Sequence, residues 1–162
     1  MNLFLWGALP YIAFTFLIVG TLVRFFYFER NWTTKSSEFL EKKQLRIANP
    51  LFHFGLLCVI GGHVVGVLIP KTWTAAIGIN DHMYHQGALY MGAVAGIIFI
   101  VGFLLLMKRR FTVPAMKVNT SGLDKWLYLF LTLAIFSGMA GTLLNASGFF
   151  DYRVSIGPWF RS

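Results

Sequence analysis

The sequence predicts an all-α membrane protein, a bundle of four transmembrane helices with the N-terminus outside, and three observations predict it. The 162 residues are 57% hydrophobic and only 12% charged, with a mean hydropathy of +0.66, far from the balance of a water-soluble domain. Four runs of roughly 20 residues lack Lys, Arg, Asp and Glu, the length a helix needs to cross ~30 Å of hydrocarbon. The apolar residues come in unbroken blocks and not at every second position, which argues against a β-barrel.

The first span covers residues 3–23; no basic segment precedes it and no small-residue cleavage site follows it, so it reads as a retained helix and not a signal peptide. The second, residues 50–70, is LFHFGLLCVIGGHVVGVLIP preceded by Pro50, and it holds His53 and His63. The third covers 86–107, after an outer loop carrying His82 and His85, and the fourth covers 126–146. Trp6, Tyr11, Trp32, Trp73, Tyr84, Trp126 and Trp159 fall near the span ends, where amphipathic rings anchor at the interface. Between the spans, SSEFLEKK suggests a short amphipathic helix capped by Ser36 or Ser37, and the tail DYRVSIGPWFRS reads as an interfacial loop.

The loops orient the bundle. Eleven cations lie between spans one and two or three and four, against three (Lys71, Arg153, Arg161) on the other side. The excess of positive charge belongs in the cytoplasm, so the net charge of +8 is topology, and a nucleic-acid partner is not needed to explain it.

His53 and His63 carry the chemistry. Ten residues along a helix advance ~15 Å and turn to about 80° short of three whole turns, so both rings can enter one interior at two depths. Histidines are rare inside spans, and hydrogen-bonded packing or a proton relay are the plain alternatives to metal ligation. Gly55, Gly61, Gly62 and Gly66 flank them, leaving backbone that a flat porphyrin could approach. Gly62 with Gly66, and Gly92 with Gly96, equally make GxxxG packing motifs. The lone Cys58 forms no internal disulfide, and no CxxCH occurs, so a haem would be held without covalent attachment. Two six-coordinate haems need four axial ligands and the spans hold two histidines, while Met91, Met107 and Met139 are weaker donors. A partner subunit or a continuation of the chain must supply the rest.

Several motifs in order resemble one family: WTTKSSEFLEKKQL from Trp32, GGHVVGVLIP from Gly61, MKRRF from Met107 and FDYRVSIGPWF from Phe150. They are similar to the gamma, cytochrome b subunit of the membrane-bound respiratory nitrate reductase, in its bacillus-type form. The resemblance implies a five-helix subunit of a bacterial cell membrane, with two haem b groups, that oxidises menaquinol or ubiquinol near the outer face. Electrons would pass to an iron-sulfur beta subunit and then to a molybdenum-containing alpha subunit. By position, His53 would ligate the haem nearer the cytoplasm and His63 the haem nearer the outside, their opposing histidines lying on a fifth helix. The 162 residues then read as a single helical domain lacking the last part of the family domain.

For quinol, the expected contacts are Gly62, His63, His85 and Gln86, although the family often has lysine where this chain has Gln86. Arg109 and Arg110 are expected either to pair with haem propionates or to serve only as cytoplasmic anchors. The loop from Glu29 to Asn49 would meet the iron-sulfur subunit or the membrane surface. Alternatives are a haem b anchor for a sulfite or heterodisulfide reductase, and a haem-free transporter or assembly scaffold.

Overall fold

The computed structural model describes residues 4–28, 38–148 and 152–161, and its regular elements among these are all helical. Four helices are long and apolar enough to cross a membrane, as the hydropathy pattern predicts. The proposed cap at Ser36 or Ser37 lies outside the described residues; residues 38–40 form a turn.

The chain forms two units, Met1–Ser36 and Ser37–Ser162. In the first, a π-helical turn, Phe4–Ala8, runs into α1, Leu9–Tyr27, near Pro10, whose missing N–H is tolerated at a helix start. None of the residues of α1 is buried within the chain. Apolar side chains all round it suit a lipid-facing helix.

The second unit contains α2 (Lys43–Leu68), α3 (Lys71–Ala76), α4 (Asp81–Thr112), α5 (Pro114–Val118), α6 (Gly122–Ala146) and α7 (Tyr152–Arg161). The helices outrun the apolar segments that identified them. α2 begins at Lys43, and Pro50 lies inside it and not at its start. α4 begins at Asp81, so His82 and His85 sit on its first turns and not in a loop. Asn80 caps it, its side chain accepting from the Met83 N–H at 2.8 Å, and Asp81 adds negative charge at the positive end of the helix dipole. Hydropathy detects the part of a helix that meets lipid, whereas backbone hydrogen bonding continues until a cap or a proline stops it. The predicted C-terminal loop is likewise a helix, α7, which packs against α2.

α2 and α4 form the tightest pair, running antiparallel. A methyl group at Gly55 would stand 2.5 Å from the Phe99 nitrogen; one at Gly102 would collide with the Phe52 backbone, 2.7 Å from its Cα. The Phe52 ring lies 5.1 Å from that of Phe99 and 6.4 Å from that of Phe103, and Ala48, Phe99 and Phe103 are buried beside them. Gly55, expected beside a porphyrin, is thus a helix-packing residue. Three of the four GxxxG glycines do not make the close contact: around Gly62 and Gly92 a methyl would meet nothing within 4 Å, and at Gly96 it would touch only the Met139 sulfur at 3.8 Å, whereas Gly66 is buried.

Candidate functional site

His53 and His63 lie on the exposed surface of α2, and each ring is held in the same way. The Nδ1 of His53 meets the Asn49 carbonyl at 2.9 Å, and that of His63 meets the Val59 carbonyl at 2.7 Å, both one helical turn back. A carbonyl can only accept, so Nδ1 is the donor in each contact and Nε2 is left outside it. A metal-ligating imidazole is commonly oriented in this way, with its other nitrogen fixed by the backbone. Among the described residues no group of three or more His, Cys, Asp and Glu gathers as a metal cluster.

The contacts of Phe52 with Gly102 and of Gly55 with Phe99 set the antiparallel register. Followed along both helices, it brings Gly92 level with Gly62, one residue from His63. Gly61, Gly62 and Gly92 are all open at the position a Cβ would fill, so the α2–α4 pair presents bare backbone beside His63. In the same register His85 lies ~9 Å further along the axis than His63, about a turn and a half. His85 is half-buried and Gln86 exposed.

At the opposite end of α4 the two consecutive arginines have separate partners. Arg109, 4% exposed, donates from Nε to the Glu41 carboxylate at 2.8 Å and from Nη2 to the Glu41 main-chain carbonyl at 2.7 Å. The other carboxylate oxygen of Glu41 accepts the Gln44 N–H at 2.8 Å, capping the start of α2. Arg110 pairs through Nη2 with Asp124 at 2.9 Å and lies over the Tyr128 ring, 6.0 Å from its centroid. Asp124 and Ser121 in turn form the capping box of α6. The arginine pair therefore staples the end of α4 to the starts of α2 and α6. Arg110 still has a buried Nε–H without a partner, whereas the Arg109 fork is taken up by Glu41.

Sequence reasoning missed Glu41. Its only local signal is a carboxylate three residues before Gln44 at a helix start; its partner is 68 residues away. The Gln44 N–H first, and then Arg109, hold the Glu41 carboxyl below its ordinary value of 4.5, against the opposing effect of burial. A depressed carboxyl stabilises the fold above its unfolded pKa and loses that contribution as pH falls through the folded value. Thermal unfolding of the solubilised protein should therefore show a constant deficit for Glu41→Gln above about pH 5 that shrinks below about pH 4. An undiminished deficit in acid would show that the carboxylate charge is not what stabilises this corner.

The profile of the nitrate reductase gamma subunit family matches residues 2–162. The chain is 46% identical over 158 residues to the nitrate reductase gamma chain of Bacillus subtilis (strain 168), covering 97% of this chain and 71% of that one. It is 31% identical over 143 residues to the respiratory nitrate reductase 1 gamma chain of Escherichia coli (strain K12), covering 88% of this chain and 62% of that one. It is also 41% identical over 160 residues to the nitrate reductase-like protein NarX of Mycobacterium tuberculosis (strain ATCC 25618 / H37Rv), where it spans 24% of the longer protein. With four membrane-length helices and a family match over nearly its whole length, the chain belongs to the nitrate reductase gamma subunit family, the membrane subunit of respiratory nitrate reductase.

Proposed function

We propose that this chain is the di-haem b, quinol-oxidising subunit of the complex, passing electrons to an iron-sulfur subunit and on to a molybdenum subunit. The observation that carries the proposal is the shared contact of His53 and His63, each with Nδ1 against a carbonyl one turn back and Nε2 left for iron. His53 and His63 are the residues of α2 that would hold haem iron, and any further ligand would come from another element. Haem, when bound, supplies one-electron transfer at a low-spin iron.

The chain's own residues supply the rest. Val59 and Asn49 orient the two imidazoles, and the open backbone at Gly61, Gly62 and Gly92 admits a flat macrocycle beside His63. The unpartnered Nε–H of Arg110 suits a propionate; Arg109, engaged by Glu41, does not. Oxidation of one quinol releases two electrons and two protons, so a proton acceptor near the outer haem is required. His85, with Gln86 and Gly62 beside the His63 end, is the group that accepts a hydrogen bond from the quinol hydroxyl and returns the proton to outer water. The N-terminus lies outside and the Arg109–Arg110 end faces the cytoplasm, in a bacterial cell membrane, where the accepting subunits dock.

The test is a reduced-minus-oxidised spectrum, with haem measured per chain, on membranes carrying the whole complex. His53→Ala and His63→Ala should each remove about half of the b-type absorbance, and the double variant nearly all. Full haem content in both single variants would overturn the assignment.

A further inference from the structure

α2 lacks one backbone hydrogen bond between its start and its first histidine. Pro50 has no N–H, so the Arg46 carbonyl lacks its helical donor, and a residue before proline, here Asn49, is disfavoured in helical geometry. Asn49 is nevertheless the residue whose carbonyl holds the His53 ring. A groove of about 460 Å³, lined by Glu38, Lys42, Leu45, Arg46, Asn49 and Pro50, lies along one side of this same segment, whose other side is anchored by the buried Ala48. What fixes the start of the segment is the Glu41–Arg109 clamp: a two-pronged grip on the side chain and main chain of Glu41, whose carboxylate also accepts the Gln44 N–H. His63 is held differently. Its carbonyl partner, Val59, lies nine residues beyond Pro50 in uninterrupted helix.

We infer that Glu41 and Arg109 are positioning residues for the haem on His53, holding the turn before Pro50 so that the Asn49 carbonyl aims the His53 imidazole. This rests on the reading of His53 as an axial ligand. Loss of the clamp leaves the turn before Pro50 held by Ala48 alone, so the Asn49 carbonyl shifts and the imidazole loses its fixed rotation, while the His63 site remains as it was.

The experiment uses the whole complex in membranes, with the chain quantified by immunoblot and the two haems resolved by redox titration. The His53-dependent component is identified as the one missing in His53→Ala; if that variant loses no haem, the ligand reading itself has failed and not the clamp. Arg109→Lys keeps the charge and loses the fork. It should at least halve the occupancy of the His53 component per chain and shift its midpoint potential, leaving the His63 component unchanged. Pro50→Ala restores an N–H to the Arg46 carbonyl, and in the Arg109→Lys background it should recover most of the lost component. Unchanged occupancy and potential in Arg109→Lys would overturn the inference. So would proportionate loss of both haems that Pro50→Ala does not relieve, since that is the signature of a merely structural clamp.

Discussion

Gly102→Val is expected to be the most destabilising single change in the membrane-spanning part of the chain. A Cβ at this position already collides with the Phe52 nitrogen and stands 2.8 Å from the Leu51 carbonyl carbon, before the two further methyl groups of valine are counted. Those neighbours are backbone, which cannot rotate aside as a side chain can. The helices must separate, and separation also loosens Phe52 from Phe99 and Phe103. Overpacking a core costs about 1–3 kcal/mol where side chains can adjust, and here the cost should be at the upper end or above it. Set against a typical margin of about 5–15 kcal/mol, that should lower the amount of chain in membranes and the thermal midpoint of the solubilised complex together. Gly138→Ala on α6, where a methyl meets nothing within 4 Å, is the matched control, and it should leave both unchanged. Equal behaviour of the two variants would mean that the α2–α4 contact does not hold this unit together.

Gly62→Leu should separate haem binding from folding. Within the chain the new side chain meets no atom within 4 Å at its Cβ, so the helix pair itself need not move. A macrocycle lying against the backbone next to His63 would be displaced by a four-carbon side chain. The expected result is a near-normal amount of chain in membranes with about half of the b-type absorbance lost, the missing part being the component that His63→Ala also removes. Full haem content would place the macrocycle on another arc of α2 and detach Gly62 from the haem and quinol surface together.

These two glycines show where the sequence alone reached its limit. Both read as residues that allow something close, and nothing local distinguishes a glycine that receives a helix from one that leaves backbone open. The two GxxxG motifs drew attention to Gly62 and Gly92, yet the close contact falls on Gly55 and Gly102, which stand in no such motif with each other because they belong to different helices.

The sequence by itself determined the helical class, the four spans and the separation of charged loops from apolar segments. The physical reason is that the cost of placing a charge or an unpaired backbone group in hydrocarbon is paid residue by residue, so it can be read without knowing any neighbour. Where helices begin was only partly legible, since α2 and α4 extend past their apolar segments into polar turns held by Glu41 and Asn80. Only the tertiary structure decided that Arg109 grips Glu41 while Arg110 keeps a free buried donor, and which glycines are packed. Each of these depends on the distance between groups far apart in the chain, and that distance exists only once α4 has returned alongside α2.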